Sequence, residues 1–324
     1  MRRLLFIIAI AGCSPSEPAA RNADTVSIGV APPTTASAIP SAQPAAAARE
    51  ADIPCHQLLR GIGVAKDPAR ARACYERAVA AEPACGDNSP SIDRLQLALM
   101  RARGIGGPAD SALPLLQACF ADASAEEVTK VIQTGKGVPD SGDFCDGLAV
   151  TTLHVNACFA RERADIEVKA AAVERRIEAA HGKAGVDAFR AARAAWDKLA
   201  TADASHVSDI YRGGSLSSTT FVSIESSRKR TRLDRIASIL DGTKPTWPKS
   251  AEASRHLAEA RPKWRAFGHD DAASHKLFDE ADRAFKQSRA EEAQLLVLLT
   301  GASRVEAEAL LDETRVGELA DLQQ

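Results

Sequence analysis

Ile166, Ala170, Val173 and Ile177 recur three or four residues apart, which lays one apolar stripe along a helix. The next segment repeats the pattern with Phe189, Ala192, Trp196, Leu199, Val207 and Ile210, and a third does so with Phe221, Ile224, Leu233, Ile236 and Leu240. Three amphipathic helices, with Gly213-Gly214 before the third, therefore define a small helical module over residues 145–241. Aromatic residues make up only 4% of the chain. Abundant alanine favours helices that approach closely over a sheet sandwich. An all-α fold is expected, in which helical-hairpin repeats precede two small helical modules. About 270 residues remain past position 50, enough for two or three small cores.

The first fifty residues read differently. Arg2 and Arg3 precede an apolar run, Leu4 to Ile10, which is far shorter than the ~20 residues a spanning helix needs. It ends in Ile10-Ala11-Gly12-Cys13. This order resembles the bacterial lipobox, and the resemblance implies removal of residues 1–12 and lipid on Cys13. Several acyl chains hold a protein stably on a membrane where one would not. Residues 13–50, dominated by Ala, Pro and Ser, bury too little apolar area to offset their ordering entropy and read as a tether. The implied location is the cell envelope, facing the periplasm or exterior.

After Cys13, six cysteines remain: Cys55, Cys74, Cys85, Cys119, Cys145 and Cys158. An even number in an exported chain points to disulfides, and about 15 connectivities are open if all six pair. All lie before residue 160, so the C-terminal half must stand on packing alone. The formal net charge is −2, far from the strongly basic balance of a nucleic-acid binder.

Within residues 51–128, "LLRGIGVAKDPARARACYERAVA" (58–80) aligns with "LMRARGIGGPADSALPLLQACFA" (99–121). Each copy reads as helix, Gly-rich turn, helix, with Asp67 and Asp110 placed to cap the second helix. The pair resembles the Sel-one-like repeat, a relative of the tetratricopeptide hairpin, which implies a protein-interaction scaffold. Neither Gly-Ile-Gly follows a strand or completes a dinucleotide fingerprint. "TGKGVPDSG" (134–142) lacks the residues of a phosphate-binding loop, so residues 129–144 read as a linker.

Over residues 145–241, several features stand in a fixed order. Cys145 and Cys158 flank Thr151-Thr152. Ala164-Asp165, Trp196, Gly213-Gly214-Ser215 and Thr231-Arg232 come after them. This order resembles the LprI-type lysozyme-inhibitor N-terminal domain of bacterial envelope proteins. Where family members carry two further cysteines, this chain has "TADAS" and "SIESS". The resemblance then implies a disulfide between Cys145 and Cys158. An Arg-Asp pair of the family is missing too, which removes any binding role those side chains would have had.

After a hinge at 242–250, residues 251–324 read as a worn second copy. "AFRAARAAWDKLATADA" (188–204) aligns with "LFDEADRAFKQSRAEEA" (277–293), which sets Phe189 on Phe278 and Trp196 on Phe285. Further on, Gly301-Ala302-Ser303 meets Gly213-Gly214-Ser215, and Thr314-Arg315-Val316 meets Thr231-Arg232-Leu233. The copies differ in charge. Residues 145–247 hold 16 Lys/Arg against 13 Asp/Glu, a net of +3, whereas residues 250–324 hold 10 against 15, a net of −5. A blocker of a basic muramidase should present carboxylates. Asp270, Asp271, Glu291 and Glu292 of the second copy are therefore the candidate contacts.

No nucleophile–base pair or metalloprotease motif can be placed, so no catalytic residue, metal or cofactor is assigned. "HDDAASH" (269–275) reads as a polar loop. Arg228-Lys229-Arg230 with Arg232 and Arg235 reads as a solvated basic helix face, and Trp196 as core. The resemblance implies a non-enzymatic lipoprotein that binds and inhibits lysozyme-type muramidases by steric occlusion. The alternative is a non-inhibitory envelope scaffold.

Overall fold

The computed structural model describes residues 53–82, 90–116, 122–137 and 139–321, and Cys13, Cys85 and Cys119 lie outside them. Among the described residues the chain is all-α, with no strand. Four short helices come first: α1 (Cys55–Arg60), α2 (Pro68–Ala80), α3 (Ile92–Arg103) and α4 (Ala123–Thr134). α1 and α3 each close on a left-handed glycine, Gly61 and Gly104. Asp67 caps α2 by accepting from the Arg70 N–H at 3.0 Å. Asp110 does not cap a helix. It accepts from Arg72 Nη2 of the first hairpin at 2.9 Å, and among the described residues that follow, Leu113–Leu115 form a 3-10 turn. Pro114, with no N–H to give, sits inside that turn.

The long helix α5 (Thr152–Ser208) is broken at Gly182, whose φ is 61°. Its two arms fold back on each other. Arg190 reaches Glu174 at 2.6 Å although 16 residues separate them, and a continuous helix would hold them ~24 Å apart. Gly185 completes the reversal, because a Cβ there would lie 2.8 Å from Ile177 Cγ2. α6 (Leu216–Leu240) then runs parallel to the first arm, through Glu162–Arg230, Lys169–Asp234 and Arg176–Asp241, and antiparallel to the second, through Asp197–Lys229. The three rods therefore run up, down and up.

The C-terminal helices α7 (Ser250–Arg265), α8 (Ala272–Thr300) and α9 (Arg304–Asp321) repeat this order. Arg261–Asp282 and Arg265–Asp279 set α7 antiparallel to α8, and the short turn between Thr300 and Arg304 folds α9 back along α8, where Arg289 reaches Glu308 and Asp312. The two three-helix units are not separate globules. One core joins Ile166, Ile177, Phe189, Trp196 and Ile236 to Leu295, Leu296, Ala307 and Leu311. Burying each of the larger aliphatic side chains contributes ~1.5–3 kcal/mol, and Trp196, buried in the same core, packs edge-on against Phe189 at 5.8 Å.

Charge crosses between the units as well. The alignment that sets Phe189 on Phe278 sets Asp203 on Glu292 and Arg232 on Arg315. In space, Arg315 forks onto Asp203 at 2.5 and 2.7 Å, while Arg232 Nε reaches Glu292 at 3.3 Å. Each third helix thus sends its arginine to the carboxylate on the other unit's middle helix. This exchange is what an internal two-fold would produce.

Candidate binding surface

The four acidic candidates do not form one patch. Glu292 is only 1% exposed; it lies against Arg232 and Arg235 and cannot meet a partner. Glu291, its half-buried neighbour, stands ~30 Å along α8 from Asp271. The correction has a physical reason: a carboxylate beside two guanidiniums in a core is an internal counter-ion.

The basic run is also not a solvated face. Arg228 and Arg232 are buried, and they share a network with Asp203, Glu292, Arg315 and Glu318. Arg232 Nη1 donates to Glu318 at 2.9 Å and Arg228 Nη2 to the Glu318 carbonyl at 2.7 Å. Burial alone would raise the Glu318 pKa, but Arg232, Arg228 and Arg315 outweigh it and hold it at about 2. Burial likewise opposes the charge on Arg315, and the Asp203 carboxylate more than offsets it, raising its pKa. Burial wins at Arg228, whose pKa is lowered. The run's remaining members, Lys229, Arg230 and Arg235, pair with Glu225, Glu162 and Glu292.

Asp270 and Asp271 sit elsewhere, at the start of α8. Asp271 caps that helix by accepting from the Ser274 N–H at 2.9 Å, and it takes Arg212 Nη1 at 2.8 Å. The Arg212 hydrogen bond leads in lowering the Asp271 pKa to about 2 and also holds Asp209 below its usual value. The Asp270 side chain is 98% exposed, with His275 Nε2 3.3 Å away. Arg212 belongs to the loop between α5 and α6, so the acidic start of the second unit touches the Gly-Gly-Ser loop of the first. Gly268 lies on the same side, with its ideal Cβ position 3.7 Å from Ile210.

Sequence patterning missed the apolar side chains at this end. Val150, Leu153, Tyr211 and Leu216 are 49, 61, 42 and 39% exposed, and they are four of the five exposed large hydrophobics among the described residues. Thr219 of α6 meets Asn156 of α5 at 3.4 Å, so the parallel helices begin together. Leu216 and Leu153 each lie one turn before that contact. The signal was present in "VTTL" (150–153) and "YRGGSL" (211–216), but nothing in either says that the two meet.

Beneath this end, His206 is buried with its Nε2–H donating to the Trp264 carbonyl at 3.3 Å, while Nδ1 has no partner. Burial lowers its pKa. Cys145 and Cys158 are disulfide-bonded at 2.05 Å, just before and inside the first arm of α5, and Cys55 is bonded to Cys74. Among the described residues no group of three His, Cys, Asp or Glu is arranged to hold a metal, and no helix is long and apolar enough to cross a membrane. No family model, curated protein or solved structure matches this chain.

Proposed function

We propose that this chain is a non-enzymatic, membrane-anchored envelope protein that binds lysozyme-type muramidases and inhibits them by covering the substrate cleft. The observation that supports this most is where the motif residues of the first module fall. Trp196 is core and Arg232 belongs to the buried ion network, whereas Gly213-Gly214-Ser215 is exposed at the end of the bundle. A rigid scaffold that holds out an exposed loop is suited to contact something outside itself. The anchor is the lipid on Cys13, read from the residues that precede it.

The decisive experiment titrates the full-length protein against chicken-type, goose-type and invertebrate-type lysozymes in a cell-wall lysis assay. Dose-dependent inhibition of one class at sub-micromolar concentration is the expected result. If folded, oxidised protein inhibits none of the three, lysozyme inhibition is wrong.

The second reading is a scaffold that inhibits nothing. What favours it is the N-terminal hairpin region, braced by the Cys55–Cys74 disulfide and pinned to α5 through His56–Asp165 at 3.0 Å. Salt separates the two readings, because a charge-steered complex associates more slowly as ionic strength rises.

A further inference from the structure

We infer that the end of the bundle built from residues 150–153, 209–216 and 268–271 is a docking surface, and that its occupant is a cationic protein. This is the surface on which the proposed function would act, and the choice of a muramidase as occupant rests on that reading. The surface itself stands on separate observations.

Val150, Leu153, Tyr211 and Leu216 gather where α5 and α6 begin, while the other sides of the bundle carry ion pairs. Exposed apolar side chains gathered in one place mark contact sites, whereas single scattered ones do not, and a tyrosine among them is the residue type that anchors such contacts. The loop that carries Tyr211 turns through Gly213 at φ 81°, and a Cβ built there meets nothing within 4 Å. It projects into open space and can enter a concavity on a partner.

Charge identifies the partner. Residues 137–160 and 213–227 contain no Lys or Arg, and the exposed cations that flank 268–271, Arg265 and Lys276, pair with Asp279 and Glu280. Asp146 and Asp270 are exposed, and Asp209 and Asp271 flank Arg212, which they jointly neutralise. Apolar side chains on an end whose exposed charges include Asp146 and Asp270 suit a cationic protein and oppose an anionic lipid surface, which needs unpaired cations. The first module carries a net positive charge overall, yet its working end is acidic. Regional net charge concealed this, because much of the positive charge is consumed in the buried network.

The test measures binding of the full-length protein to chicken-type, goose-type and invertebrate-type lysozymes, to cytochrome c as a cationic protein that is no muramidase, and to phosphatidylglycerol–phosphatidylethanolamine vesicles. The variants are Leu153→Ser/Leu216→Ser and Asp270→Lys, all at exposed positions, with Asp187→Lys at the far end of the bundle as control. The double variant should raise the lysozyme Kd about tenfold or more, and Asp270→Lys about threefold to tenfold at low salt. Asp187→Lys should change nothing. Cytochrome c bound with the same sensitivities, while lysozyme is ignored, would uphold the surface and sink the muramidase reading. Lysozyme bound equally well by all variants would overturn the surface and leave the proposed function standing. Failure to bind either kind of cationic protein, whether or not the lipid anchor holds the chain on vesicles, also overturns it.

Discussion

The two three-helix units share one helix order but are held together to different degrees. The first buries long stretches of all three rods. Ile166, Ala170, Val173 and Ile177 line its first arm, and Phe189, Trp196 and Leu199 its second. In the second unit, α7 buries only Ala253 and Trp264. Open clefts flank it, one of about 260 Å³ against α9 and one of about 230 Å³ toward α8. The Trp264 indole N–H is buried without a partner. Thus two units with one helix order need not be equally well packed. The second unit contributes α8 and α9 to the common core and leaves α7 on the outside, held by Trp264 and Ala253, by the partly buried Leu257 and Ala260, and by a few ion pairs.

The sharpest way to break this arrangement is at the exchanged charges. Removing one partner of a buried pair leaves an uncompensated charge and costs ~3–5 kcal/mol. Arg315→Met and Asp203→Leu should each destabilise the protein by about that much in urea unfolding. The Asp203→Leu/Arg315→Met double variant should recover most of the loss, because neither charge is then stranded. Independent units would give additive losses instead. Native-state hydrogen exchange sharpens the contrast further: amides of α7 should open well before those of α5 and α8, and equal protection would show that the packing difference has no energetic meaning.

Much of this fold could be read from spacing, because a helix face is a local property. The stripes of Ile166–Ile177 and Phe189–Val207 depend only on a 3.6-residue period, and these residues are where that period puts them. Glu292 and Arg228 show the limit. A charged residue on a helix reads as solvated until a second helix supplies its counter-ion; Glu292 finds Arg232 60 residues away, and Arg228 finds Asp203 on another rod. The docking end is hidden for the same reason. Leu153 and Leu216 are unremarkable singly, and they acquire meaning only because two helices start together.

Acid should act on the units unequally. The His206 pKa is lowered in the folded protein, so the native ring stays neutral while the unfolded chain takes up a proton as pH falls through ~6.5. Stability should therefore drop as pH falls below about 6.5, by at most ~1.4 kcal/mol per pH unit. The charged groups facing His206 temper this. Asp203 and Asp209 on its own segment favour the proton, and Arg315 from α9 opposes it. The Tm of His206→Phe should be flatter between pH 7.5 and 5.5 than that of the parent. A second loss belongs to Glu318, whose pKa is depressed to about 2, so its contribution is present above about 4.5 and fades as pH falls toward 2.

The smallest effect concerns how the two first helices begin. Thr151 caps α5, its hydroxyl accepting from the His154 N–H at 3.3 Å. Lys249 stands at the same place before α7 and offers no acceptor, although its φ of −69° and ψ of 128° are those of a good cap. Glu252 already lies three residues on, so Lys249→Ser would complete a Ser-x-x-Glu box, each end satisfying a free N–H of the other. Ser303 and Glu306 make that box at α9, with Ser303 N–H donating to Glu306 at 2.8 Å. Lys249→Ser should stabilise the protein by ~0.5–1 kcal/mol, and Thr151→Ala should cost about 1 kcal/mol. The gain should appear as slower exchange confined to α7. If Lys249→Ser slows no α7 amide, then α7 is loose through its thin packing alone, and the missing cap plays no part in the difference between the units.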